Sequence, residues 1–154
     1  MYSRYVGGDY GFEVLHASEY LARLIEEGRI KLGQVDMTVT YHDPCDLGRK
    51  SGVFDAPRFI MESIPGVTLV EMANSRENAL CCGGGGDIAM AEADVSEAIA
   101  ERRLAQAVAT EAKAIVSACQ QCKRTLQQAA TKTKTRIRVL DVAELVWRAM
   151  EAAE

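Results

Sequence analysis

The five cysteines form one pattern: Cys45, then 35 residues, the adjacent pair Cys81-Cys82, then 36 residues, then Cys119-Gln120-Gln121-Cys122. None is left over. An adjacent pair and a Cys-x-x-Cys brought together by folding supply more thiolates than the four a tetrahedral zinc takes, which points to a larger iron–sulfur centre. Two other chemistries stay open on the same residues: a structural zinc held by four of the five, and a metal-free dithiol oxidoreductase acting through Cys119 and Cys122. An odd number of cysteines argues against a disulfide framework. The opening residues Met1 to Gly8 lack the apolar stretch of a signal peptide, so the expected compartment is the reducing cytoplasm.

Gly83, Gly84, Gly85 and Gly86 follow the cysteine pair directly. Such a run allows positive φ and lets backbone amides approach an anion closely, forming a concave nest. Five thiolates around a core of about +2 leave a net charge of about −3. Burying that charge without donors costs on the order of tens of kcal/mol. Glycine amides, a helix N-terminus and the nearby Arg49, Lys50, Lys123 and Arg124 are the expected offsets. The run lacks both the Lys-Ser/Thr of a P-loop and the spaced dinucleotide fingerprint, so a nucleotide is the weaker occupant. His42 is a candidate to orient a ligand or move protons, with a simple hydrogen-bonded strand-end histidine as the competing role. His16 and Trp147 are expected to be structural.

The elements that must position these residues follow from hydrophobic periodicity. Apolar runs of strand length at 12–15, 36–41, 67–71, 114–118 and 137–140 alternate with helical patterns. That alternation predicts an α/β domain with an open, mostly parallel sheet and helices on both faces. Pro57 suits the first turn of a helix from Asp55 to Ser63, stopped by Pro65-Gly66. A longer helix is expected from Asp87 or Asp94 to Thr110, burying Ile99, Leu104 and Val108. Asp141 and Glu144 form a capping box, after which Val142, Leu145, Val146 and Ala149 share one buried face. Cys45 then leaves a strand at Asp43-Pro44, and Cys119 and Cys122 lie in the first turn of a helix, whose positive end favours thiolate. All three cysteine clusters are expected at the edge of the sheet where strands meet helices.

Tyr41-His42-Asp43-Pro44-Cys45-Asp46-Leu47-Gly48-Arg49, Cys81-Cys82 with its glycines, and Cys119-x-x-Cys122 together resemble the cysteine-rich CCG domain. That domain occurs in the B-type and D-type subunits of heterodisulfide reductase and in iron–sulfur subunits of lactate, glycolate and glycerol-3-phosphate oxidation systems. The resemblance covers residues from about 37 to 130 and meets each interval of the family's cysteine spacing. It implies a noncubane [4Fe–4S] centre held by Cys45, Cys81, Cys82, Cys119 and Cys122, and an electron-transfer role. It also implies partners: a second CCG unit, or flavin and iron–sulfur subunits of one redox complex. Asp46 stands where relatives commonly have histidine, and Gln120 where they commonly have proline. A proton-donor role at the first position therefore weakens, leaving His42 and Asp46 as catalytic candidates. The ligand set is intact.

The chain's ends resemble each other: Val14 to Glu26 align without gaps to Val139 to Glu151, each a strand end followed by a helix. This suggests residues 1–33 as the strand–helix tail of a preceding unit and 34–154 as the cysteine-rich domain. On that reading the isolated chain is catalytically incomplete, and either a homodimer or docking to a partner covers its open surface. Composition, 48% hydrophobic and 26% charged, suits a soluble fold. No segment approaches the about 18 consecutive apolar residues of a membrane span, so any membrane association would run through partner subunits. A net charge of −4 gives no electrostatic reason to expect nucleic acid as a partner.

Overall fold

The computed structural model describes residues 11–153; the first ten residues of the 1–33 segment and the last residue lie outside the described residues. Four strands form one sheet: β1 (Met37–His42), β2 (Val67–Leu69), β3 (Ala114–Ser117) and β4 (Arg138–Asp141). The order is β2-β1-β3-β4, and every pairing is parallel. The open, parallel α/β sheet is thus as expected. Register brings His42 level with Ser117, and Ser117 level with Asp141, so three strands end in a row. From β1 the chain passes to one side, and from β3 to the other. Such a switch point leaves a crevice beyond the carboxyl ends of the two central strands.

Six helices cover this sheet among the described residues: α1 (Ala17–Glu26), α2 (Asp55–Ser63), α3 (Ile88–Ala91), α4 (Ala93–Val108), α5 (Gln120–Lys132) and α6 (Val142–Glu151). Alternation along the strands sorts side chains to two cores. Val39, Tyr41, Ala114, Val116 and Leu140 face one side, where Ile60, Met61 and Ile64 of the α2 region pack with Leu145, Val146 and Ala149 of α6. Ile115 and Val139 face the other, against Leu104 and Ala107 of α4 and Leu126 and Ala129 of α5. Each buried leucine of this kind contributes about 2 kcal/mol of transfer free energy.

Both capping boxes at the two ends are formed. Asp141 accepts from Ala143 N at 2.8 Å while its own N–H donates to Glu144 Oε2 at 2.8 Å. At the start of α1, Ser18 N donates to His16 Nδ1 at 3.2 Å and His16 N donates to Glu19 Oε2 at 2.9 Å. The likeness of the two ends therefore reaches their cap geometry. His16 is structural in this sense. α1 packs Leu21, Ala22 and Ile25 on the α2 side of the sheet. Among the described residues no helix is long and apolar enough to cross a membrane.

Three expectations need correction. Residues 12–15 form no strand, because no strand among the described residues lies alongside to take their backbone hydrogen bonds. On α4 only Leu104 of the three expected core residues is buried: Ile99 is half-buried and Val108 is 45% exposed. The buried stripe is Ser96, Ala100, Arg103, Leu104 and Ala107, a line of mostly small residues that lets α4 close over the glycine loop. Trp147 is 60% exposed, so it does not serve the core.

Candidate metal centre

Cys45 lies at the carboxyl end of β1 because Pro44 carries no amide hydrogen and ends the ladder. Asp43, two residues earlier, is clamped by the guanidinium of Arg58, with Nη1 2.8 Å from Oδ1 and Nη2 3.0 Å from Oδ2. Arg76 N adds a bond of 2.8 Å to the same carboxylate, and Glu71 takes the Arg58 Nε at 2.6 Å. Cys45 then opens a single π-helical turn, Asp46–Lys50, and is partly exposed. Desolvation raises its thiol pKa, and the charges of Asp46, Cys81 and Cys82 raise it further, so Cys45 shares a field with the cysteine pair.

The Cys81-Cys82 pair does not follow a strand directly. It sits in the long loop between β2 and α3, after a 3-10 turn at Arg76–Asn78. Only Cys82 is buried; Cys81 is exposed. The glycine run turns back beneath the pair, with Gly83 at φ +82°. Gly83 N points at Cys81 Sγ at 3.3 Å and Gly84 N at Cys82 Sγ at 3.4 Å. Glycine is required here sterically as well: a Cβ on Gly83 would meet Ser96 O at 2.3 Å, and one on Gly84 would meet Thr125 Oγ1 at 2.2 Å. Of the four glycines, Gly83 and Gly84 thus direct their amides at the cysteine pair. Gly85 and Gly86 are exposed.

Cys119 is the N-cap residue of α5 and Cys122 lies in that helix's first turn, as the spacing predicts. Cys122 Sγ is 3.2 Å from Cys82 Sγ, which joins the second and third clusters directly. The Cys119 thiol is lowered to about 6, first by its contact with the Cys122 thiol, against desolvation, and then by the N–H groups of Cys122 and Gln121 at the helix terminus. The Cys82 thiol is lowered to about 4, again first by Cys122 against desolvation, with His42 and the Gly84 N–H adding to the effect. Cys122 moves the other way and keeps its proton, because Cys119 and Cys82 both press against it and it is buried.

His42, the last residue of β1, points to the α4 and α5 side with Cys82 and Cys122. One ring nitrogen and the two sulfurs lie within 4.8 Å of one another, and all three residues are buried. Burial lowers the His42 pKa, so the ring is neutral. Arg103 of α4, 0% exposed, donates from Nε to His42 Nδ1 at 3.0 Å. Its Nη1 donates to Asn74 O and Gln106 Oε1, each at 2.7 Å. Arg103 Nη2, His42 Nε2 and Thr40 Oγ1 are buried without a hydrogen-bond partner. Buried polar atoms are ordinarily paired. Unpaired donors beside low-pKa thiols therefore suit an anionic metal–sulfur group.

The surface residues expected to balance the thiolates are mostly turned elsewhere, although the Lys50 charge still works to lower the Cys45 pKa. Lys50 pairs with Asp46, and Lys123 with Glu144 at 2.7 Å, while Arg49 and Arg124 are exposed. The Asp46 side chain is itself 75% exposed, turned to Lys50 rather than to the sulfurs. Arg103 is a buried cation that faces His42 and the sulfurs beside it. Sequence reasoning missed it, although Arg103 falls on the stripe of Ser96, Ala100 and Ala107, three and four residues apart.

The chain that carries these residues has relatives among known proteins. The model of the CCG cysteine-rich domain matches residues 39–127, and the chain belongs to that family. It is 45% identical over 148 residues to one of the subunits of the dihydromethanophenazine:CoB–CoM heterodisulfide reductase of Methanosarcina mazei, a match that covers 96% of this chain and 36% of that protein. It is also 38% identical over 151 residues to the probable iron–sulfur-binding oxidoreductase FadF of Bacillus subtilis, covering 95% of this chain and 21% of FadF. A third relative is one of the subunits of the fumarate reductase (CoM/CoB) of Methanothermobacter marburgensis, 34% identical over 140 residues, with 89% and 28% covered. The chain thus spans about a third or less of the length of these relatives.

Proposed function

We propose that this chain is an iron–sulfur electron-transfer domain of a heterodisulfide-reductase-like oxidoreductase. Cys45, Cys81, Cys82, Cys119 and Cys122 would hold a noncubane [4Fe–4S] cluster. The observation that carries this reading is the 3.2 Å approach of Cys82 and Cys122 inside a nest of glycine amides aimed at the sulfurs. When bound, such a cluster supplies one-electron redox chemistry. The chain's own residues exclude water from two of the five sulfurs, offer amides to the pair, and ionise Cys82 and Cys119 through the helix terminus and the shared thiol hydrogen bond.

The relatives named as subunits support partners of the same kind: a second CCG unit, or flavin and iron–sulfur subunits through which any membrane association would run. On this reading residues 1–33 are the tail of a neighbouring unit. The likeness of residues 14–26 to residues 139–151 and the matching capping boxes support it. Anaerobic reconstitution with iron and sulfide, metal analysis and electron paramagnetic resonance test the cluster. About four irons per chain are expected, with Cys81→Ser and Cys82→Ser each lowering iron content. Tight stoichiometric zinc that excludes iron would replace the reading with a structural zinc site, for which the trio of His42, Cys82 and Cys122 is the supporting observation.

A further inference from the structure

We propose that Arg103 is a positioning residue that locks His42 as a hydrogen-bond donor toward the Cys82–Cys122 sulfurs, so that His42 serves the metal site as a donor and not as a ligand. The inference rests on the iron–sulfur reading above for its link to redox chemistry, but its geometric half stands on the protein alone.

Donor chemistry fixes the ring's tautomer. An arginine Nε carries a hydrogen and cannot accept, so the His42 nitrogen that faces it at 3.0 Å must be the acceptor of the ring. A neutral imidazole has one acceptor and one N–H. With Nδ1 accepting, the proton is on Nε2, and Nε2 is the atom left buried without a partner. A protonated Nε2 has no lone pair to give a metal. It has a hydrogen to give a thiolate, and the sulfurs of Cys82 and Cys122 lie within 4.8 Å of the ring atom offered to them. Ring nitrogens at metal sites are commonly fixed by what the other nitrogen bonds. Here the outer partner is a donor, the reverse of the carbonyl or carboxylate that prepares a metal-ligating histidine.

Arg103 is itself held so that it cannot swing away. Nη1 is fixed by Asn74 O and Gln106 Oε1, and Gln106 Nε2 in turn donates to Asn74 Oδ1 at 2.6 Å. Among the described residues it makes no ion pair, and Asp43 and Glu71 favour its charge only from beyond contact distance. A cation behind the imidazole polarises the ring and strengthens its N–H as a donor. Hydrogen bonds to cluster sulfurs stabilise the more negative, reduced state and raise the potential.

Two measurements separate the halves. Nitrogen-15 spectra of histidine-labelled, reduced apo protein should show His42 as the Nε2–H tautomer, and Arg103→Met should mix the tautomers while Arg103→Lys, which keeps a buried N–H, restores it. An Nδ1–H tautomer in the native protein would overturn the lock. In reconstituted protein, His42→Leu should lower the equilibrium constant for cluster reduction about tenfold, ~59 mV for one electron. His42→Gln, whose amide N–H reaches the Nε2 position, should stay within about twofold. Electron–nuclear double resonance should find only a weak nitrogen coupling from His42; a coupling of directly bound strength would overturn the donor role. If no cluster loads into the native chain, the iron–sulfur reading fails while the tautomer result still decides the lock.

Discussion

Arg58 on α2 and Arg103 on α4 are 4% and 0% exposed, on opposite faces of the sheet, yet their surroundings differ in kind. Arg58 is bidentate to Asp43 and also bonded to Glu71, so its charge is balanced within the protein. Arg103 meets only neutral acceptors. Burial lowers it to about 10, which still leaves it protonated in neutral solution. The first arrangement fixes backbone: it pins Asp43-Pro44 and so the point where Cys45 leaves the sheet. The second sets a cation behind His42 with no carboxylate in contact, where the more distant Asp43 and Glu71 and the Cys122 and Cys82 sulfurs favour its charge.

Arg58→Met should give the largest stability effect, about 3–5 kcal/mol in urea unfolding of the apo protein, because Asp43 is left buried without its counter-ion, holding only the Arg76 N–H. Arg103→Met should cost under about 2 kcal/mol in the same assay, since the lost hydrogen bonds are partly offset by removing a desolvated charge that no carboxylate contacts. Equal costs for the two would break the comparison. The iron-loaded protein should invert part of this order, with Arg103→Met losing its iron faster than the native chain under dilution.

Gly84 and Gly85 sharpen the comparison on the loop. A Cβ on Gly84 would strike Thr125 Oγ1 at 2.2 Å and Gln121 Nε2 at 2.9 Å, while one on Gly85 meets nothing within 4 Å. Gly84→Ala should therefore cost about 1–3 kcal/mol and reduce iron retention. Gly85→Ala should leave both unchanged. Loss of iron in the Gly85 variant would show that the loop's flexibility, rather than the close approach of its amides, supports the site.

A smaller effect follows from pH. Cys82 and Cys119 are lowered from 9.0 to about 4 and about 6, so their stabilisation is complete above 9.0 and is lost as pH falls through each lowered value. Cys122 is raised from 9.0, so its stabilisation is present below that value and is lost as pH rises past it. Apo protein kept reduced should accordingly gain stability from about pH 4 to about pH 9 and lose it above, read as the urea midpoint. Cys119→Ser should flatten the rise above about pH 6. Smallest of all, Asp46→Ala should change neither the urea midpoint nor the iron content, because its pairing with Lys50 is at the surface.

The parts of this molecule governed by local rules were legible in the sequence. The capping box of Asp141 and Glu144, the buried line of Val142, Leu145, Val146 and Ala149, and the helix from Asp55 to Ser63 each depend on residues within a few positions. The placement of Cys119 and Cys122 on a helix N-terminus was legible for the same reason. What escaped depends on partners distant in sequence. Arg103 reads as one more surface charge beside Arg102 until β1 brings His42 to it across 61 positions. Residues 12–15 read as a strand from composition alone, but a strand exists only with a neighbour. The loop holding Cys81 and Cys82 carries no periodicity, and its path follows from tertiary contacts, the close approach of Ser96 and Thr125 to Gly83 and Gly84.

The most direct test is to map which cysteines react with an alkylating agent before and after anaerobic loading with iron and sulfide, by mass spectrometry of the intact chain and its peptides. The account predicts that Cys45, Cys81, Cys82, Cys119 and Cys122 all react in the unfolded apo chain and that all five become protected together on loading. A loaded protein in which Cys45 or Cys81 alone remained reactive would contradict the five-thiolate centre.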